Sequence, residues 1–274
     1  MSKISTTAAM IDSYTNTAIK NYVKSHDEST YFPKEMWDEL TNEMDIFLPI
    51  LSEENHTLSS DFITFIRKIA NEFAALSAIL LTQGCYGIYS ILNFGTAEQK
   101  ELYLEKLLKG QYIGGLGFCE YKHLKGLEDL ETYATKTEQG WCLSGKKAMI
   151  SNSSVADILL VLAKVKEQGK VEKYGLFIVD PKDSDVLIGE QIEKPGLIGL
   201  PSVTLKNVLL PENALLGDEL AGDVQFANII KNMQLGLSAI ALGVAEGAFN
   251  KGIEFAKVRR GFGKRLIDVE IHQN

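Results

Sequence analysis

The sequence predicts an α+β fold made of three consecutive parts. Up to about Gly110 and again from Asp223, apolar residues recur at spacings of three and four, which is the period of an amphipathic helix. Between Gln111 and about Gly217 the apolar period is two, as in half-buried strands. The two changes of period therefore predict a helical domain, a β-barrel or sandwich domain and a second helical domain, at 1–110, 111–222 and 223–274.

The composition is that of a globular protein and disfavours several classes of function. The 274 residues are 45% apolar and 23% charged, with a net charge of −8. This length can bury a sizeable core in one to three domains. Because an acidic surface repels phosphates, we expect neither nucleic-acid binding nor binding to anionic membranes.

Cysteine usage and the N-terminus indicate a cytoplasmic protein. Cys85, Cys119 and Cys142 lack CxxC spacing, so we expect no metal site and no disulfide framework. Free thiols of this kind suit a reducing compartment. The first ten residues lack the apolar core of a signal peptide. The longest apolar stretch, Ala74 to Leu81, is too short to cross a bilayer.

In the first part, apolar spacing predicts one amphipathic helix that begins with Ser60 as its N-cap and continues through Leu81. Gly84 and Gly87 are expected to interrupt the helical pattern before a further short helix. The next helix has signals at both ends: a Thr96–Gln99 capping box at its start and a stop at Gly110.

In the second part, the segments 132–137 and 141–147 predict a hairpin around Glu138, Gln139 and Gly140. Longer apolar runs predict two buried strands, at 157–165 and 174–180. A further strand is expected through Val203 and Leu205 to Leu210, where Pro211 ends it.

The third part begins with a segment that is apolar on nearly every side and contains many small residues. Ile229, Met233, Leu237 and Val244 illustrate the helical spacing, and Gly236 is one of the small residues between them. This pattern predicts a buried helix packed closely against other helices.

Six strings in fixed order resemble motifs of the acyl-CoA dehydrogenase family. They are GTAEQK (95–100), IGGLGFCE (113–120), GKKAMISN followed by AD (145–157), GLIGLPS (196–202), PENALLG (211–217) and RRGFGKRLID (259–268). Each string alone is weak, but together they span most of the chain. The resemblance implies an acyl-CoA dehydrogenase-like fold whose C-terminal helical bundle is truncated at Asn274.

The resemblance also implies an FAD-dependent flavoprotein oxidoreductase of fatty acid metabolism that acts on CH–CH groups of acyl-CoA thioesters. FAD lies between the β domain and the C-terminal helices in this family. The cofactor-binding residues implied here are Leu116, Phe118, Cys119, Met149, Ser151, Arg259 and Phe262. The first three lie in an expected strand at 116–120, and Arg259 would contact the cofactor of a neighbouring subunit.

Several of these residues have a simpler interpretation, which the sequence leaves open. Cys119 suits a small buried apolar site. Ser151 suits the cap of a turn before Asn152. Arg259 suits a solvated basic run at the end of a helix, where cations interact well with the helix dipole.

Departures from the family motifs predict weak FAD binding. The family has Thr where this chain has Cys119, which is a weak hydrogen-bond donor. It has Trp at Met149, and Met cannot stack on a flat ring. It has Gln near Glu270, where a carboxylate would repel pyrophosphate. The Pro of the family's T-E-P string and the G-S-D turn that follows it are also missing from 119–127.

The resemblance assigns no catalytic residue to this chain. The family's catalytic Glu lies in helices that would follow Asn274, or in some branches near Met233, which cannot accept a proton. Glu246 and Glu254 are expected to be solvated helix-face residues. Two functions stay open: an acyl-CoA dehydrogenase-like enzyme that is incomplete as this chain, or an inactive relative that serves as a binding module. A homo-oligomer or a partner supplying the C-terminal helices is expected.

Overall fold

The computed structural model describes residues 3–26, 31–51, 57–122, 125–165, 173–190, 200–261 and 263–269. Within them the fold is α+β: helices first, then a mixed sheet, then one long helix. This order confirms the fold class predicted from the two changes of period.

The N-terminal helices begin with α1 (Lys3–Tyr14), which runs through a π-helical turn into α2 (Lys20–His26). A short helix α3 (Lys34–Asp38) follows. Its Trp37 packs against Phe47, with ring centroids 5.8 Å apart, and Phe47 packs against Phe62 of the next helix. These aromatic residues form part of the larger apolar core.

The predicted single helix from Ser60 through Leu81 is two helices, α4 (Ser60–Ala70) and α5 (Ala74–Thr82). The N-cap is Ser59, whose hydroxyl accepts the backbone N–H of Phe62 at 3.2 Å, so the prediction of Ser60 was wrong by one residue. The chain turns between the helices, and the Ser77 hydroxyl donates to the Ile66 carbonyl at 2.9 Å. Because of this corner, both apolar helices pack against the long C-terminal helix.

Gly84 and Gly87 do not interrupt the helix, contrary to the prediction. They lie in a π-helical segment, Gln83–Tyr89, which joins α5 to α6 (Ser90–Phe94). A Cβ at Gly84 would lie 2.7 Å from the Phe62 ring. These glycines therefore permit close packing.

The continuous helical stretch at 74–94 is 21 residues long, and its most apolar 18-residue window has a mean hydropathy of 1.4, so by length and composition it could cross a membrane. The expectation from Ala74 to Leu81 underestimated its length. However, 89% of its most apolar window is buried inside the fold. Burial in the core accounts for this composition.

The helix α7 (Ala97–Leu108) has the predicted ends. Thr96 and Gln99 form both hydrogen bonds of the capping box, and Gly110 has a φ of +65° just after the helix. The Gln99 amide also donates to the carbonyls of Asn213 and Leu215, at 2.8 and 2.7 Å. One buried side chain thus caps a helix and fixes the distant 213–215 segment.

The sheet has seven strands within the described ranges. They are β1 (Gly114–Gly117), β2 (Tyr133–Thr137), β3 (Gly140–Lys147), β4 (Ile158–Val165), β5 (Lys173–Val179), β6 (Val186–Ile188) and β7 (Val203–Leu210). The order is β1-β4-β2-β3-β7-β6, and β5 pairs with β4. The predicted hairpin is β2–β3, and the predicted buried strands are β4 and β5.

The central strand β4 pairs with β5 along one edge and, in parallel, with β1 and β2 along the other. Its Leu160 and Leu162 face the helical core, and its Leu159 and Val161 face a second core on the other side of the sheet. Burial of both faces explains why this strand is an unbroken apolar run.

Two strands differ from the predictions. The short edge strand β6 was not predicted. The strand expected at 116–120 begins earlier and ends at Gly117, so Phe118, Cys119 and Glu120 lie beyond it. A Cβ at Gly115 would lie 2.9 Å from the Ser151 carbonyl oxygen, which explains a glycine at this crowded position.

The long helix α8 (Gly222–Val258) is followed by the two-residue strands β8 (Arg260–Gly261) and β9 (Lys264–Arg265). One stripe of α8 packs on α4 and α5. The prediction that it is buried on nearly every side is wrong for the described structure, because large apolar side chains are exposed along it. These residues are Val224, Leu235, Leu237, Leu242, Val244, Phe249, Phe255 and Val258.

Candidate functional site

A cavity of about 550 Å³ lies where the end of β1 meets the first turns of α8. Its walls are mainly apolar and aromatic. They are formed by Phe118, Cys119, Glu120, Tyr121, Lys122, Gly126, Leu127, Leu130, Met149, Leu162 and Phe226. This volume and these walls are typical of small-molecule sites.

Aromatic rings join the sheet to α8 at this cavity. The ring of Phe118 lies 5.1 Å from that of Phe226 and 6.4 Å from that of Tyr86, measured between centroids. Tyr86 lies in the π-helical segment and Phe226 in the first turns of α8. Thus Phe118, just after β1, packs against rings from two separate helical elements.

A buried ion pair adjoins the cavity. Lys147 Nζ, at the end of β3, lies 2.8 Å from Glu120 Oε1, and the side chains are 0% and 3% exposed. The carboxylate also accepts the backbone N–H groups of Glu131 and Thr132, at 2.7 and 3.0 Å. Every charge in this buried group is therefore matched by a partner.

The two charges of this ion pair affect each other's pKa. Burial lowers the pKa of Lys147 to about 8, although Glu120 opposes this change. Burial alone would raise the pKa of Glu120, but the hydrogen bond and charge of Lys147 hold it below its ordinary value. Both groups are therefore ionised at neutral pH.

Cys119 is half-buried at the cavity wall. Burial raises the pKa of its thiol, and the nearby Lys147 charge only partly offsets this effect. The thiol is thus protonated at neutral pH and can act as a weak donor. Its backbone carbonyl accepts the N–H of Ala148 at 2.9 Å, which fixes the segment next to β3.

Met149 also lines the cavity, and its side chain is 57% exposed. Its φ of +51° is unusual for a residue with a side chain. Ser151 is half-buried two residues further on. The neighbouring turn is closed by Ser153, whose hydroxyl donates to the Ile150 carbonyl at 2.8 Å.

Of the other predicted cofactor residues, Leu116, Ser151 and Arg259 are described and are not among the residues that line this cavity. Leu116 is buried in the apolar core. Arg259 is exposed at the far end of α8, about 50 Å along the helix axis from Phe226. Phe262 lies outside the described residues, as does Glu270. The structure therefore brings together Phe118, Cys119 and Met149 of the predicted set.

Sequence reasoning missed Phe226 and the Glu120–Lys147 pair. Phe226 was one of many apolar residues in a helical pattern, with no signal that marked it for a site. Lys147 did carry a signal: it follows Trp141 and Leu143 on the inward-facing side of β3, where all three are buried. A lysine that faces inward requires a buried acidic partner, but the sequence pattern does not identify which residue that partner is.

Two family models match this chain. The acyl-CoA dehydrogenase N-terminal domain matches residues 4–111, and the acyl-CoA dehydrogenase middle domain matches residues 115–208. An acyl-CoA dehydrogenase of Bacillus subtilis (strain 168) is 32% identical over 209 residues. That alignment covers 75% of this chain and 55% of the relative, so the chain spans about half of that protein.

Solved structures show the same fold. The butyryl-CoA dehydrogenase of Megasphaera elsdenii has a TM-score of 0.88 and 24% identity, over 100% of this chain and 73% of that one. A glutaryl-CoA dehydrogenase of Mycobacterium smegmatis in complex with FADH2 has a TM-score of 0.86 and 22% identity, over 100% and 70%. These likenesses define an α+β protein of the acyl-CoA dehydrogenase fold. The two family models, matching residues 4–111 and 115–208, show that the chain belongs to the acyl-CoA dehydrogenase family.

Proposed function

We propose that this chain binds FAD at the cavity wall formed by Phe118, Cys119 and Met149 and belongs to an oxidoreductase that acts on CH–CH groups of acyl-CoA thioesters. The observation that carries this proposal is the meeting of these three residues, each implied by the family motifs, in one cavity between the sheet and α8. A related structure, the Mycobacterium smegmatis enzyme, contains FADH2.

The residues present fit a flat, largely apolar ring. The cavity of about 550 Å³ is bordered by the rings of Phe118 and Phe226 and by the flexible Met149 side chain. No hydrogen bond between described residues uses the backbone N–H of Cys119, so this donor is available to a ligand. The cofactor supplies the acceptor for a hydride.

What this chain does in the reaction is bind and orient, because the described part of the cavity offers no free base. The only carboxylate among its lining residues is Glu120, which Lys147 and two N–H groups already engage. Met233 is apolar and buried. Glu246 lies on α8 beside Arg67, at 3.5 Å, as expected for a residue on the helix surface.

The lack of a free base in the described part of the cavity also supports the second candidate function, that of a relative that binds flavin or acyl-CoA without catalysis. A positioned base supplies about 10²- to 10⁴-fold in rate. For catalysis, residues outside the described ones would have to provide it, from a longer form of this chain, a second copy or a partner polypeptide. The exposed apolar side chains along α8 support such an association, since apolar patches of this kind favour contact with another surface.

FAD titration followed by flavin fluorescence tests the cofactor proposal. We expect saturable but weak binding, with a dissociation constant of micromolar order or higher. Cys119→Thr should tighten it roughly two- to tenfold, since a hydroxyl is the better donor. Cys142→Thr, on β3 and outside the cavity lining, is the matched control and should change nothing. Absence of saturable binding, or equal affinities for the two variants, would contradict the proposal.

A dehydrogenation assay with saturated acyl-CoA esters and an artificial electron acceptor separates the two candidates. For the chain alone we expect no turnover, together with self-association in light scattering. Turnover that appears only when a second polypeptide is added supports the enzyme. Turnover by a monomer of this chain would refute two claims: that the chain has no catalytic base and that activity requires association.

A further inference from the structure

We propose that Glu120 and Lys147 are positioning residues, and that their buried ion pair holds the segment 118–120 in the conformation that lines the candidate FAD site. This inference rests on the proposed function for its link to FAD, but the positioning itself concerns only this chain. Neither residue was assigned a role by the motifs.

The segment 118–120 needs such a support because it lies outside the sheet. The ladder between β1 and β4 ends at Gly117, paired with Val161. Beyond it, one backbone bond is described, from the N–H of Ala148, just after β3, to the carbonyl of Cys119 at 2.9 Å. A segment with so few backbone bonds depends on side chains for its conformation.

The ion pair supplies this support from three directions. Lys147 Nζ reaches Glu120 Oε1 at 2.8 Å and the Phe118 carbonyl at 3.5 Å. The Glu120 carboxylate in turn accepts the N–H groups of Glu131 and Thr132, just before β2. One carboxylate therefore connects the ends of β1 and β3 to the start of β2 through charge-assisted hydrogen bonds, which are the stronger kind.

The backbone is shaped to admit the lysine. A Cβ at Gly117 would lie 3.2 Å from Lys147 Cγ, so the glycine leaves room for the lysine stem against β1. Burial of the whole Lys147 side chain, at 0% exposure, is costly unless the geometry of the pair is held. The same geometry places Phe118 and Cys119 at the cavity wall.

The test compares two double variants. The buried one combines Glu120→Gln and Lys147→Met, and the matched surface control combines Lys136→Met and Glu212→Gln. Lys136 and Glu212 form an exposed ion pair away from the cavity lining. Removing both partners of a buried pair leaves no unpaired charge, so the double variant should recover most of the stability that either single variant loses. It can therefore be studied folded.

The first readout needs no cofactor. Cys119 lies inside the segment, so its rate of alkylation per thiolate reports how firmly the segment is held. This rate is obtained by peptide mass spectrometry over a range of pH, because Lys147→Met also removes a charge that partly offsets the effect of burial on the pKa of this thiol. We expect about tenfold or faster alkylation in the buried double variant, with Cys142 in the same sample unchanged. In the surface variant neither rate should change. Unchanged Cys119 alkylation without the ion pair would overturn the positioning role.

The second readout is FAD affinity, which should fall about tenfold in the buried double variant and remain unchanged in the surface variant. Faster alkylation with unaltered FAD affinity would overturn the link between the pair and the cofactor site. If the wild-type chain does not bind FAD, the proposed function fails, whereas the alkylation result still decides the positioning role.

A third measurement uses the wild type alone. The amides of Glu131 and Thr132 donate to the Glu120 carboxylate, so they should exchange with deuterium slowly although they precede β2. Exchange as fast as that of an open loop would overturn the proposal even if the variants failed to fold.

Discussion

Replacing glycine by alanine in α8 should change the free energy of unfolding in opposite directions at two positions, Gly247 and Gly252. A Cβ at Gly247 would lie 2.9 Å from the carbonyl carbon of Asn71 and still closer to its oxygen. A Cβ at Gly252 would meet nothing within 4 Å. Alanine favours a helix over glycine by about 1 kcal/mol at both positions, so packing alone should separate the two variants.

At Gly247 the obstacle is backbone, at the corner between α4 and α5, and cannot rotate away as a side chain would. Overpacking of this kind costs about 1 to 3 kcal/mol, and we take the upper end because the helix must move. After the gain in helix propensity, Gly247→Ala should destabilise the fold by about 2 kcal/mol. Gly252→Ala should stabilise it by about 1 kcal/mol.

Urea unfolding monitored by far-UV circular dichroism measures this difference of about 3 kcal/mol. Gly243→Ala is a second test at the same interface, because its Cβ would lie 2.9 Å from the Ala70 Cβ and closer still to the Arg67 carbonyl oxygen. If Gly247→Ala unfolds at the same urea concentration as Gly252→Ala or a higher one, α8 does not pack on α4 as described.

Two further predictions concern buried polar groups. Gln83 donates to the carbonyls of Leu107 and Tyr112, both at 2.9 Å, and accepts the N–H of Gly114 at 2.8 Å. Gln83→Met should therefore cost about 3 kcal/mol in urea unfolding, whereas the exposed Gln139→Met should cost almost nothing. Glu120 has a folded pKa below its ordinary value, so its ionised form stabilises the fold above about pH 4.3 and this contribution is lost as pH falls through the folded pKa. The stability advantage of wild type over Glu120→Gln should shrink in acid, and an advantage that stays constant down to pH 3 would contradict this assignment.

The features that the sequence predicted correctly depend on nearby residues. The capping box of Thr96 and Gln99 and the β2–β3 hairpin involve residues a few positions apart, so their signals lie in short strings. The corner after Ala70 was missed because the apolar spacing continues across it. The corner lets both helices pack on α8, and those contacts join residues that are far apart in the chain.

The candidate site was predicted only in part for the same reason. Phe118, Cys119 and Met149 belong to strings that resemble family motifs, and the structure places them together. Phe226 lies on the opposite wall of the cavity, and Glu120 pairs with Lys147 beside it. Both contacts depend on which elements meet in three dimensions. Hydrophobic period carries no information about such partners.

The long-range pairing of β3 has a consequence for the order in which the protein is built. Ser144, on β3, donates to Asn207 on β7, a residue 63 positions later in the chain. At about 5–20 residues per second, a ribosome needs roughly 3–13 seconds to synthesise the residues between them. During that interval one edge of the β2–β3 hairpin has no strand beside it, and an open edge can pair with another nascent chain. The emerging chain thus has a period of seconds in which chaperone binding would be most useful.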